Sequence, residues 1–203
     1  MQQIVSFIAY HGTIPSRLEA IKISSFQPSA NIDDWLGFGT YFFIDGLNCP
    51  WDSAVDWAAC SIWDKRNQCF IEKDIVVVKA VLAAPQKSVF DLRDMNNSME
   101  YHLFRKDWLK KKHSDKFTDL IRPQNRTYDA ETLNEFRLER GISILIGNFH
   151  IQLSVRERYL RLASRIPNVS VLCLDAAGDS SIQCSISETT VVDISHWPYH
   201  NKI

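Results

Sequence analysis

Trp35-Leu36-Gly37-Phe38-Gly39-Thr40-Tyr41-Phe42-Phe43 is the stretch on which the fold turns. Two glycines lie inside an aromatic run. Glycine tolerates the backbone angles of a tight bend, and Thr, Tyr and Phe suit a pleated, half-buried strand. Leu36 to Ile44 therefore reads as a bend leading into a short strand. Either the bend passes beneath a flat ligand, with Tyr41 and the downstream Trp57 stacking on its ring, or the run is aromatic core with a bulge. It is not a G-x-G-x-x-G dinucleotide fingerprint, because Phe42 stands where the third glycine belongs. No Walker-type lysine motif accompanies it.

Upstream, Ile4 to Tyr10 is apolar or aromatic except for Ser6, and reads as a strand buried on both faces. It ends at His11-Gly12-Thr13. A glycine there lets a ligand approach the backbone, and the histidine adds a donor for a hydroxyl. The plainer alternative is a strand-to-helix turn. Pro15 suits a first helical position, and Leu18, Ile21 and Ile23 suggest a helix to about Ile23. Gln27 to Asn31 is loop.

Downstream, Asp52 to Ser61 reads as a helix capped by Asp52 or Ser53, with Ala54, Trp57, Ala58 and Ile62 as its apolar stripe. Ile75 to Ala83 is the clearest strand. Asn97 to Lys112 and Ala130 to Glu139 read as helices, the first capped by Asn97 or Ser98. Ile142 to Ile146 and Phe149 to Arg156 read as strands. In the second, Phe149, Ile151, Leu153 and Val155 alternate with His150, Gln152, Ser154 and Arg156, which leaves one polar face. Tyr159 to Ile166 is a short helix or turn. Val169 to Leu174, Ile182 to Ile186 and Thr190 to Ile194 are further strands. The sum is α+β, with strands dominating the second half.

The chain has 203 residues, 45% hydrophobic and 23% charged, which excludes disorder over most of its length. No apolar run approaches the ~20 residues of a membrane helix. The N-terminus carries no basic region before its apolar stretch, so no signal peptide is expected. Net charge is -1, so contact with nucleic acid needs a local patch. Arg105 to His113, a basic run containing Trp108, is either such a patch or a solvated helix end. The cysteines Cys49, Cys60, Cys69, Cys173 and Cys184 are odd in number and lack C-x-x-C spacing. They read as free thiols of a cytoplasmic protein, without a disulfide framework or a metal site. One domain is expected over residues 1–203, with residues 160–203 as an extension of uncertain role.

Together, His11-Gly12-Thr13 and Gly37-Phe38-Gly39-Thr40-Tyr41-Phe42 resemble motifs of the ADP-ribosyltransferase superfamily, in the branch of the poly(ADP-ribose) polymerases and diphtheria-type toxins. That branch carries a His–Tyr–Glu set: H-G-[TS] ending the first core strand, G-x-G-x-Y-F on a later one, and a glutamate opening a late strand. Gln152-Leu153-Ser154-Val155-Arg156 fits the late strand by pattern, with glutamine in place of glutamate. The resemblance covers Ile4 to Tyr159.

It implies a split β-sheet with flanking helices, NAD as substrate and no metal. It implies catalytic roles for His11, Tyr41 and Gln152. Glu139 or Glu135 is the alternative source of a carboxylate, because the loop before the late strand contacts acceptors in this superfamily. His11, Gly12, Thr13, Gly39, Tyr41 and Trp57 would bind NAD: His11 a ribose, Gly12 the carboxamide, Tyr41 and Trp57 the two faces of the nicotinamide. Arg156 or Arg17 would meet the pyrophosphate. Glutamine can hold a hydroxyl but supplies no negative charge, which points to transfer of a single ADP-ribose to a protein or nucleic acid rather than polymer growth. A bacterial or phage toxin or defence effector, with a cognate antitoxin and no membrane partner, is the implied setting. The alternatives are an NAD glycohydrolase, or an inactive module that binds NAD, ADP-ribose or a partner.

Overall fold

The computed structural model describes residues 3–31, 34–64, 66–67, 69–120, 128–152, 167–175 and 181–197. The elements run β1 (Ile4–Thr13), α1 (Pro15–Ser24), β2 (Gly39–Ile44), α2 (Pro50–Ser61), β3 (Trp63–Asp64), β4 (Cys69–Phe70), β5 (Asp74–Pro85) and β6 (Val89–Asp91). There follow α3 (Met95–Lys112), α4 (Phe117–Leu120), α5 (Asp129–Arg140), β7 (Ile144–Phe149), β8 (Val169–Asp175) and β9 (Gln183–Asp193). Both α1 and α2 open on proline, whose fixed φ suits a first helical turn.

Seven strands form one mixed sheet in the order β6-β7-β8-β2-β1-β5-β9, and β3 with β4 makes a separate hairpin. Every neighbour pair in the sheet is antiparallel except β6 with β7. The α+β class expected from the sequence is therefore present. Leu18 and Ile21 of α1, with Phe26, pack on Phe42, Val76 and Val78 on one face. Residues of α2, α3 and α5, including Ala54, Ala58, Tyr101 and Phe136, pack with Phe43, Val77 and Leu145 on the other. Val76, Val77 and Val78 are fully buried, which explains the unbroken apolar run of β5. Each contributes about 1.5–2 kcal/mol of burial.

Several boundaries differ from the sequence reading. β1 is not buried on both faces along its length: Ile4 is 57% and Ile8 52% exposed, because α2 covers its face only near Gly12. α2 begins at Pro50, ahead of the expected caps. In α3 the cap is Asp94, whose carboxylate accepts the Asn97 N–H at 3.0 Å, so Asn97 lies inside the helix. The strand expected over Ile142 to Ile146 is β7, which starts at Ile144 and runs on to Phe149. Of the strand expected over Phe149 to Arg156, His150 to Gln152 are not in a strand and residues 153–156 lie outside the described residues. The pair expected within Ile182 to Ile194 is one strand, β9, with an irregularity opposite Lys79 and Ala80. There the break in alternation is an extra residue in the ladder. The expected turn at Tyr159 to Ile166 lies outside the described residues.

Candidate functional site

β1 and β2 pair only at Ala9 with Ile44 and Tyr10 with Phe43. On their other edges β1 stays with β5 as far as Thr13, and β2 stays with β8 from Ile44 back to Gly39. The two strands therefore part beyond Tyr10. A cleft of about 650 Å³ opens there, in the roughly 300–1,000 Å³ range of small-molecule sites. It takes His11 and Gly12 from β1, Gly39 and Tyr41 from β2, Trp57 from α2, and Asp34 and Trp35 from the loop before β2. That loop is fixed to β2 because Ser29 and Gly39 exchange both backbone hydrogen bonds, at 2.8 and 2.9 Å.

His11 spans the gap: its Nδ1 lies 2.9 Å from the Tyr41 carbonyl oxygen. A carbonyl only accepts, so Nδ1 carries the proton and Nε2 the lone pair. Burial lowers the His11 pKa, the Tyr41 hydrogen bond opposes this in part, and the Arg17 charge lowers it further. The neutral ring thus offers an acceptor at Nε2, where the sequence suggested a donor. Phe26 and Phe42 pack edge-on against it at 5.1 and 5.8 Å.

The Tyr41 hydroxyl is spent inside the protein. It donates to Gly37 O and accepts from Leu36 N–H, both at 2.7 Å. Burial, the largest cause, raises its pKa far above the usual phenol value, so it stays neutral. What Tyr41 presents is its ring. The bond to Gly37 pins the bend, where φ is +79° and only glycine is unstrained. Trp35 touches the Tyr41 ring at 5.9 Å and the Trp57 ring at 5.6 Å, both edge-on. The aromatic wall is therefore three rings where the sequence suggested two.

Gly12 has a reason the sequence did not show. A Cβ there would sit 1.9 Å from the Ala54 carbonyl oxygen and 3.1 Å from Ala58 Cβ. It is the backbone of α2 that needs the glycine. Gly39 is similar, since a Cβ would lie 2.1 Å from Leu174 O on β8. Thr13 is buried and does not line the cleft.

Gln152, Glu135 and Glu139 are not among the residues that line this cleft. The strand beside β2 is β8, with Cys173 opposite Tyr41 and Val171 opposite Phe43. Val171 lines the cleft. Gln152 follows the buried Ile151, whose backbone pairs with the Asn168 carboxamide at 2.9 Å in both directions, and it is not among the lining residues. Glu135 and Glu139 line a separate cavity of about 380 Å³ between α3 and α5. Arg17 is exposed on α1, while Ser154 and Arg156 lie outside the described residues. Trp108 packs against His113 and Tyr128, with its Nε1 buried, so the basic run does not present it for stacking on a base.

Asp34 is the residue that sequence reasoning missed. It lies two positions before Leu36, but no periodicity indicates which way the loop turns. Among the described lining residues it is the only carboxylate. Cys173 also lies close, with its thiol pushed up to about 11 chiefly by burial, which leaves it protonated and unreactive. No group of three or more metal-ligating side chains occurs among the described residues, and no helix there is long and apolar enough to cross a membrane. No family model, no curated protein and no solved structure matches the chain.

Proposed function

We propose that this chain is a mono-ADP-ribosyltransferase. It would take NAD as substrate, break the bond between nicotinamide and ribose, and pass ADP-ribose to a nucleophile on a protein or nucleic acid. The observation that carries this reading is the convergence of His11, Gly12, Gly39, Tyr41 and Trp57, from three elements, on one cleft.

In this reading the ring wall of Trp35, Tyr41 and Trp57 receives the nicotinamide. His11 Nε2 accepts a ribose hydroxyl. The edge of β1 that faces the parted β2 lacks a ladder partner there and meets the carboxamide. The bonding electron pair leaves with nicotinamide, the ribosyl carbon becomes cationic, and the acceptor nucleophile adds to it and releases a proton. The protein's share is largely orientation. The five cysteines form no disulfide, which suits a reducing cytosol, and a toxin or defence effector paired with an antitoxin remains the proposed setting.

One observation favours a second reading. The strand beside Tyr41 contributes Val171 to the cleft, not a carboxylate, so the positive charge of the transition state has no partner on that strand. That suits a slow glycohydrolase, with water as acceptor, or a module that only binds NAD or ADP-ribose.

The test is incubation with NAD labelled on the adenylate phosphate, in separate tubes of RNA, DNA and lysate, with nicotinamide release followed alongside. Label on one polymer class supports the transferase. Nicotinamide release without label indicates the glycohydrolase, and binding without release indicates the module. His11→Ala is expected to lower turnover about a hundredfold or more, since it removes a positioning contact. Full activity in folded His11→Ala and Tyr41→Ala proteins would overturn the site.

A further inference from the structure

The cleft is one-sided in charge. Asp34 is its only described carboxylate, and no lysine or arginine is among its described lining residues; the Arg17 charge on α1 acts on His11 from outside that lining. Asp34 Oδ1 accepts the Ser29 hydroxyl at 3.0 Å, and Oδ2 accepts the Asn31 N–H at 2.9 Å. Both donors are neutral, and the carboxylate makes no ion pair with a described residue. A carboxylate has about four lone-pair sites, so acceptor capacity remains. The group is held in place, because Ser29 is itself locked to Gly39 of β2. It acts electrostatically on both Tyr41 and Cys173, which puts its charge beside the ring wall. Aromatic rings with one fixed carboxylate, and no lysine or arginine among the described lining residues, are the chemistry that selects a positively charged ligand, through the ring quadrupoles and the carboxylate together.

We propose that Asp34, with Trp35, Tyr41 and Trp57, makes the cleft selective for a cationic ring over its neutral counterpart. Resting on the NAD reading above, this makes Asp34 the residue that selects the oxidised dinucleotide, with its pyridinium, against the reduced one. The residue lies on the loop before β2 and not on the late strand where a carboxylate was sought.

The experiment is calorimetric titration of the protein with 1-methylnicotinamide, a cation, and with nicotinamide, its neutral relative, followed by NAD and NADH. Wild-type protein is expected to prefer each cationic member by about tenfold or more. Asp34→Asn should lose most of that preference without weakening nicotinamide itself, and Asp34→Glu should retain much of it. Equal binding of 1-methylnicotinamide and nicotinamide by wild-type protein would overturn the proposal, even if no variant folds. So would an undiminished preference in Asp34→Asn. Cleavage of NAD without any cation preference would leave the transferase reading standing and this proposal refuted. Cation preference without NAD binding or cleavage would support the cage and refute the NAD reading.

Discussion

His11 binds protons differently in the folded and unfolded chain. Its folded pKa lies below the 6.5 of the free side chain because burial penalises the imidazolium. As pH falls through 6.5, the unfolded chain takes up a proton that the folded one refuses, so unfolding is favoured. The stabilising contribution is complete above that pH and is lost as pH falls toward the folded pKa. His11→Gln should therefore flatten the loss of stability between about pH 7.5 and 5, read as urea midpoints across that range. Protonation also converts Nε2 from acceptor to donor. The place of His11 at the cleft was legible from its position near the end of the first strand, which runs on through Thr13. Its tautomer was not, because the bond that fixes it goes to Tyr41, 30 positions away.

At the scale of elements, α2 lies so close to β1 that Gly12 and the Ala54 carbonyl leave no space for a methyl group. Gly12→Ala should cost about 1–3 kcal/mol or more, since a backbone must move. Ala58→Gly added to it should restore little, because the tighter clash is with a carbonyl and not with the Ala58 side chain. Denaturant midpoints of the single and double variants check this. A shifted α2 carries Trp57 with it, so ligand binding should weaken in the same protein. The glycine was visible in the sequence as a strand-end signal, but a ligand and a helix make the same demand on it. Strand ends were misplaced for a related reason. An alternating pattern marks the residues able to form a strand, while pairing partners decide where it stops, as at Phe149 and along β9.

At the scale of the whole molecule, Arg137 ties the sheet to its helical cover. It is 2% exposed, and donates to Phe38 O at 3.0 Å and Ser143 O at 2.9 Å, with Cys173 O at 3.5 Å. One side chain on α5 thus joins the residue before β2, the lead into β7, and β8. Arg137→Met keeps the bulk but removes the guanidinium N–H groups from Phe38 O and Ser143 O. Ser143 O keeps the Asp175 N–H at 2.9 Å, so the main cost falls on the charge-assisted bonds that are lost, at about 1–3 kcal/mol each. The expected result is a loss of about 2–4 kcal/mol by denaturant titration, with an unchanged slope if the fold persists. Because Phe38 adjoins Gly39, the floor of the cleft should loosen as well.

Local chemistry in the sequence was enough for the α+β class and for β5 as an unbroken apolar strand, while the motif resemblance grouped His11, Gly12, Gly39, Tyr41 and Trp57, which line one cleft. Each carries its signal within a few residues: an apolar run, a glycine pair among aromatics, a proline at a helix start. The tertiary structure alone decided that β8 lies beside β2, that β1 and β2 part after two residue pairs, and that Glu139 faces a different cavity. It also decided that Asp34 turns inward. Strand order and loop direction depend on contacts between residues far apart in the chain, and these follow from how the apolar faces of the sheet are covered. No local pattern encodes that choice, so the carboxylate of the cleft was visible only once the chain had folded.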